Sequence, residues 1–241
     1  MTVRHASAGA RSAGVRVVSL VPSSTETLRA LRADVVACTR FCEQPDLPHV
    51  GGTKNPDVDA IVALAPDVVV LDREENRIDD HDALVAAGLE VFVSDVRSVD
   101  AGLDVVAELA AVAGVSAPPR PAIQVADPSI RTVAFVPIWR RPWMSISRAT
   151  YGGSLLRRLG VGLIGAETEV GYPTLELADV ARSAPDLVLV PSEPYEFSEN
   201  HVAELAAVLP GATVRRVDGQ DLFWWGIRTP AALDRLAAAL A

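Results

Sequence analysis

Cysteine is almost absent from this chain of 241 residues: Cys38 and Cys42 are the only two, too few for a disulfide framework or a four-cysteine zinc site. Histidine is also sparse. His5, His49, His81 and His201 are scattered without metal-ligand spacing, which argues against a zinc hydrolase. There is no Gly-x-Ser-x-Gly elbow, no Walker pattern and no Gly-x-Gly-x-x-Gly, so neither that hydrolase chemistry nor nucleotide chemistry finds support. Positive charge is in deficit, with 22 Lys and Arg against 31 Asp and Glu and a net charge of −9, which argues against nucleic acid or an anionic membrane surface as partner. No run approaches the roughly 20 apolar residues of a membrane span. Residues 1–14 are polar and rich in Ala, Ser and Gly, and lack the apolar run of roughly 7 to 15 residues that a secretory signal needs. They predict a disordered N-terminus and a cytoplasmic chain as written, with an extracytoplasmic one only if the true start lies upstream.

What the chain does have is an internal echo. Arg16-Val17-Val18-Ser19-Leu20-Val21-Pro22 returns as Arg131-Thr132-Val133-Ala134-Phe135-Val136-Pro137, and Ala65-Pro66-Asp67-Val68-Val69-Val70-Leu71 returns as Ala184-Pro185-Asp186-Leu187-Val188-Leu189-Val190. Two matches in the same order, at nearly the same offset, predict two copies of one α/β unit. A hydrophobic content of 49% suffices for two cores of roughly 100 residues each. Two similar lobes make a cleft, and a cleft is where a ligand is expected.

The periodicity alternates strand and helix. Strands are expected at Val15–Val21, Val35–Thr39, Val68–Leu71 and Glu90–Val93, and helices from a capping box at Ser23-Ser24-Thr25-Glu26, at Asp57–Leu64, at Asp79–Ala87 and at Leu103–Val112. Pro118, Pro119, Pro121 and Pro128 then break the pattern. The second lobe is expected to run strand Thr132–Val136, helices Gly153–Leu159 and Leu175–Arg182, strand Leu187–Val190, helix Asn200–Leu209, strand Thr213–Val217 and helix Pro230–Ala241. The expected organisation is an N-terminal α/β lobe over 15–115, a proline-rich linker over 116–130 and a C-terminal α/β lobe over 131–241. Each lobe has a parallel sheet.

Ligands in such sheets sit beyond the carboxyl ends of the strands. Those segments are Pro22–Glu26, Arg40–Pro45, Asp72–Asn76, Pro137–Tyr151 and Pro191–Phe197. Trp139-Arg140-Arg141-Pro142-Trp143 concentrates two of the four tryptophans with two arginines, either as an aromatic wall with cations for a large, flat, partly anionic ligand or as an aromatic pair packed at the lobe junction. Trp224 and Trp225, with Arg228, could extend that wall, one of the pair facing the core. Lys54 follows the glycine pair Gly51-Gly52, which would allow close backbone approach or simply make a turn. Cys38 falls on a strand and reads as core; Cys42 is the candidate for contact with a bound metal. Glu74 and Glu193 occupy equivalent positions in the two repeats, as partner or ligand contacts or as solvated charges.

The motifs Val18-Ser19-Leu20-Val21-Pro22-Ser23-Ser24-Thr25-Glu26, Thr39-Arg40-Phe41-Cys42-Glu43-Gln44-Pro45 and Val50-Gly51-Gly52-Thr53-Lys54-Asn55-Pro56, with both Ala-Pro-Asp strand entries, resemble the binding proteins of cobalamin and iron-chelate importers, the class III or helical-backbone metal-receptor family. The resemblance implies two α/β lobes, a shallow cleft between them and a vitamin B12-like corrinoid held by aromatic residues, for which Phe41, Trp143 and Tyr172 are the matching positions. Near Thr53 and Asp72 the family has aromatics that this chain lacks. The family docks its permease through one acidic residue per lobe; Asp59 matches in the first, and Asp179 stands beside the matching Ala178 in the second. The family is usually exported. The expected function is a non-enzymatic, monomeric receptor with no tightly bound cofactor, in which Phe41, Trp139, Trp143, Tyr172 and Trp224 supply apolar contact and Lys54, Arg140 and Arg141 meet polar groups of the ligand. The ligand expected first is cobalamin; a siderophore or haem is the alternative, and an ABC permease the expected protein partner. Rival readings are an enzyme using Cys42 as nucleophile and an interaction module with exposed aromatics.

Overall fold

Continuous Val/Leu-rich runs, rather than alternating ones, form the central strands, as sheets covered on both faces require. The computed structural model describes residues 14–123, 129–165 and 170–241. The chain divides into two compact units, Met1–Val93 with Leu109–Ala117 and Ser94–Glu108 with Pro118–Ala241. Residues 1–13 of the expected disordered segment 1–14, and 124–128 of the expected linker 116–130, lie outside the described residues.

The first unit holds β1 (Arg16–Ser19), α1 (Pro22–Ala30), β2 (Asp34–Cys38), the short strands β3 (Gly51–Gly52) and β4 (Asn55–Pro56), α2 (Val58–Leu64), β5 (Val68–Asp72), α3 (Ile78–Ala86) and β6 (Val91–Ser94). Its sheet runs β2-β1-β5-β6, with β1 parallel to β2 and to β5. Val18, Leu20, Ala37, Ile61, Val69, Leu71 and Leu84 make its core. Helix α4 (Val99–Val112) begins four residues before the expected start and contributes to both units.

The second unit holds β7 (Thr132–Phe135), an antiparallel hairpin of β8 (Pro137–Trp139) and β9 (Met144–Ser145), α5 (Tyr151–Arg158), β10 (Val161–Leu163), α6 (Leu177–Arg182), β11 (Leu187–Pro191), α7 (Glu199–Val208), β12 (Thr213–Val217), α8 (Gly219–Phe223) and α9 (Thr229–Leu240). Its sheet runs β10-β7-β11-β12, all neighbours parallel. Both sheets thus place the strand of the Val-Pro echo beside the strand of the Ala-Pro-Asp echo.

The repeated Ala-Pro-Asp does the same physical work twice. Ala65 and Ala184 both adopt positive φ, 44° and 45°, a costly conformation for a residue with a Cβ that ends the preceding helix before the proline. The aspartate after each proline then accepts a backbone N–H from the neighbouring strand: Asp67 from Arg16 at 2.7 Å and Asp186 from Val133 at 2.8 Å. These bonds start the two parallel pairings. Register shows that the structural equivalent of Val17 is Ala134, because Val17 faces Val68 and Ala134 faces Leu187. The sequence echo is therefore slipped by two residues in the first strand, a shift that keeps every side chain on its own face.

Three local expectations are corrected. No capping box forms at Ser23–Glu26: the helix starts earlier, with Pro22 in its first turn and Val21 as an N-cap without a side-chain bond, while Thr25 Oγ1 turns to Val21 O and Ser19 Oγ at 2.8 Å each. The hairpin β8–β9, β10 and α8 are elements the sequence pattern does not announce. Trp224 and Trp225 are both buried, at 8% and 5% exposure, so neither half of the pair faces out.

Candidate functional site

Beyond the strand ends of the first unit, two sets of polar side chains tie the loops to one another. Asn76, nearly buried, accepts the Asp72 N–H through Oδ1 at 2.8 Å and donates through Nδ2 to Thr53 O at 2.9 Å and Leu20 O at 3.4 Å. Buried Asp72 accepts the Glu74 N–H at 2.9 Å. Lys54 Nζ donates to Glu74 O at 2.5 Å, so the predicted cationic contact is engaged with the same loop. The positions near which the family resemblance implies aromatics, Thr53 and Asp72, here take part in a hydrogen-bonded clamp.

The second set surrounds a thiol. Cys42 Sγ lies 3.2 Å from both Thr25 Oγ1 and Thr39 Oγ1, and the Cys42 N–H closes the turn onto Thr39 O. A hydrogen bond from Cys38, with those of Thr25 and Thr39, stabilises the thiolate against the cost of burial and brings the Cys42 pKa down to about 6. The same interaction and burial push Cys38 up. Cys42 is only 1% exposed, so its sulfur faces inward, away from any approaching chelate or substrate. Among the described residues no cluster of three or more His, Cys, Asp or Glu side chains could hold a metal ion.

The turn that Cys42 anchors carries Phe41 outward, 49% exposed, with the Arg40 guanidinium 4.7 Å from its ring centroid. Gly52 makes room for this pair, since a Cβ there would lie 3.1 Å from Arg40 Nη2 and from the Phe41 ring. The glycine pair of the sequence is thus a close-approach device. It accommodates the chain's own side chains.

The second unit carries a continuous aromatic run. Phe135 meets the edge of Trp143, Trp143 lies parallel to Phe197 at 6.1 Å, Phe197 touches Tyr195 at 4.7 Å, and Tyr195 meets Trp139 edge to face at 5.1 Å. Phe135 and Phe197 are buried, Trp143 and Tyr195 are partly buried, and Trp139 at the far end is 46% exposed. Each such contact contributes about 0.5–1.5 kcal/mol beyond area burial. His201 packs against Tyr195 and Phe197 and accepts the Ser198 N–H on Nδ1 at 3.2 Å. Tyr195 and Phe197 were not singled out from sequence, although the signal existed: they lie just after β11, in a segment at the carboxyl end of a strand.

The remaining candidates are distributed as follows. Arg140 donates to Glu204 at 2.7 Å and lies 5.6 Å from the Trp143 ring. Arg141 is exposed at the hairpin turn with φ 70°. Tyr172 is 39% exposed. Trp224, expected to contact ligand, is buried with its indole N–H donated to Glu193 at 2.7 Å and the Arg228 guanidinium 5.0 Å from its ring. Glu193 is thereby drawn into structure, and Asp179 is ion-paired with Arg182. Asp59 is exposed in the first turn of α2. A cavity of about 210 Å³ in the second unit, lined by Leu103, Val106, Pro118, Pro121, Ile227 and Pro230 among others, includes none of the candidates.

Comparison with known proteins gives a consistent answer. Residues 17–117 match the family described as periplasmic binding protein. A vitamin B12-binding protein of Yersinia pestis (strain Pestoides F) is 27% identical over 198 residues, spanning 74% of this chain and 70% of the relative. The periplasmic vitamin B12 binding protein BtuF of Vibrio cholerae superposes with a TM-score of 0.76 at 18% identity, over 94% of this chain and 96% of its own. A periplasmic heme binding protein from Pseudomonas aeruginosa gives 0.74 at 22% identity, over 94% and 92%. These likenesses overturn the cytoplasmic expectation, since the family and its members are periplasmic and point to an extracytoplasmic location. The α/β fold with two parallel-sheet cores, the family match over residues 17–117 and the relatives together show that this chain is similar to the cobalamin and iron-chelate periplasmic binding proteins.

Proposed function

We propose that this chain is a receptor that captures a metal chelate, a vitamin B12-like corrinoid first among the candidates, and presents it to an ABC permease without chemical turnover. The observation that carries this reading is the continuous aromatic run from Phe135 to Trp139, anchored in the core at one end and solvent-exposed at the other. Such a run offers a flat apolar ligand a rigid surface at little cost in side-chain entropy. Phe41 with Arg40 offers a second exposed ring on the first unit, and Tyr172 a third. The vitamin B12-binding relative from Yersinia supports the corrinoid.

Haem is the second reading, favoured by the Pseudomonas heme binding protein, which shares 22% identity with this chain against 18% for the Vibrio vitamin B12 binding protein. A Cys42-dependent enzyme is disfavoured by the inward-facing sulfur. For permease docking, Asp59, exposed in the first turn of α2, is the candidate, whereas Asp179 is held by Arg182 and Glu193 by Trp224. The testing experiment is a side-by-side tryptophan-quenching titration with cyanocobalamin, aquocobalamin, haem and a ferric siderophore. Saturable quenching by a cobalamin at micromolar or tighter affinity is expected, and binding of none of the four removes the reading.

A further inference from the structure

Trp139 and Arg140 are adjacent at the end of β8, and the tryptophan is much the more exposed of the two. The Arg140 side chain is 17% exposed; its Nη2 donates to Glu204 Oε2 on α7 at 2.7 Å, and its guanidinium lies 5.6 Å from the Trp143 ring. Its Nε is buried and has no hydrogen-bond partner among the described residues. A cation beside an aromatic face would meet a ligand carboxylate through a charge-assisted bond. Here that cation already has its counter-charge.

We propose that Glu204 is a specificity-determining residue of the aromatic face. By pairing with Arg140 it withdraws one of the two loop arginines from the ligand, so that the face takes macrocyclic chelates with an uncharged, amide-type periphery in preference to the same ring bearing carboxylates. This rests on the chelate-receptor reading above and adds to it the charge of the chelate. Specificity is a difference of affinities, and a like charge held behind the natural anion contact supplies the repulsive half of that difference. The chain's net charge of −9 acts in the same direction. Arg141 stays exposed at the hairpin turn, so the preference is graded rather than absolute.

The test compares haem with haem dimethyl ester, which share ring and iron and differ at the two propionates, ionised in one and methyl-esterified in the other, against the wild type, Glu204→Gln and Arg140→Gln, with cyanocobalamin as a separate probe. The change of the ratio on Glu204→Gln isolates charge from the added methyl groups. The wild type should bind the ester more tightly than haem, by about tenfold as one cancelled ion pair allows. Glu204→Gln, which keeps a hydrogen-bond acceptor for Arg140 but removes the charge, should shrink that ratio by about fivefold, and Arg140→Gln should widen it. Urea midpoints check that both variants fold, and a variant that does not is replaced by Glu204→Met or Arg140→Met. Equal binding of haem and ester by the wild type, or a ratio unmoved by Glu204→Gln, overturns the proposal. If cyanocobalamin binds while charge discrimination is absent, the charge proposal alone fails; if no chelate binds, the receptor reading fails and takes this proposal with it.

Discussion

The two units share a strand order and differ in what they place beyond the strand ends. In the first, the loops are tied together by polar side chains, Asn76 and Asp72 in one set and Cys42 with Thr25 and Thr39 in the other, and Phe41 is exposed beside them. In the second, the equivalent region is a run of stacked and edge-on aromatics from Phe135 to Trp139. Duplication has kept the parts that start the sheet, the αL alanine and the strand-pairing aspartate, while the loops have diverged in chemistry. The scaffold is repeated and the recognition surface is not.

If that contrast is correct, the two surfaces should fail differently. Trp143→Ala removes the partly buried ring that joins the aromatic run to the core, and should destabilise the protein by about 3 kcal/mol, the low end of the range for a buried aromatic, besides weakening chelate binding. An unchanged urea midpoint would show that the run is not anchored there. Asn76→Ala leaves Thr53 O and the Asp72 N–H without their partner and should cost about 2 kcal/mol. A loss under about 0.5 kcal/mol, the size of an ordinary surface change, would mean the clamp is not what holds the first unit's loops. Trp139→Ala should separate binding from stability, with chelate affinity down by about tenfold, or 1.4 kcal/mol, and the midpoint nearly unmoved because the ring is half exposed. Retained affinity would take Trp139 out of the site.

The smallest effect is expected from the thiol pair and is read as a pH dependence. Cys42 has a pKa of about 6 in the folded protein against an ordinary value of 9.0, so between these limits the unfolded chain holds a proton that the folded one does not. Stability from this group is complete above pH 9 and is lost as pH falls through about 6. Cys38, pushed up, contributes in the opposite sense: its share is present below pH 9 and fades above it. Urea midpoints from pH 6 to 9 should therefore rise more steeply for the wild type than for Cys42→Ser. Parallel profiles would mean that the folded protein holds Cys42 as the thiol.

Much of the scaffold was legible because local chemistry fixes it. The Val-rich runs, the breaks before Pro66 and Pro185, and a helix beginning at Asp57, whose side chain accepts the Ala60 N–H at 3.0 Å, are all short-range. The echo led to the duplication, although a two-residue slip in the first strand leaves the alternation of faces intact and so could not be seen from sequence. The site was less legible because its contacts are long-range. Trp139 and Trp143 stood out as a pair, but their ring partners Tyr195 and Phe197 lie more than fifty residues away and only the fold brings them together. From sequence Arg140 is a free cation for the ligand; in the fold Glu204 on α7 pairs with it. Trp224 read as a wall residue, and the Glu193 carboxylate that satisfies its N–H explains why it can be buried.

The central claim is that the aromatic run of the second unit is a chelate-binding surface. The most direct measurement is tryptophan quenching of the purified protein by cyanocobalamin, with the wild type and Trp139→Ala titrated in parallel. The account predicts saturable quenching by the wild type at micromolar or tighter affinity and a curve shifted by about tenfold in the variant. Superimposable binding curves, or no saturation in either protein, would contradict it.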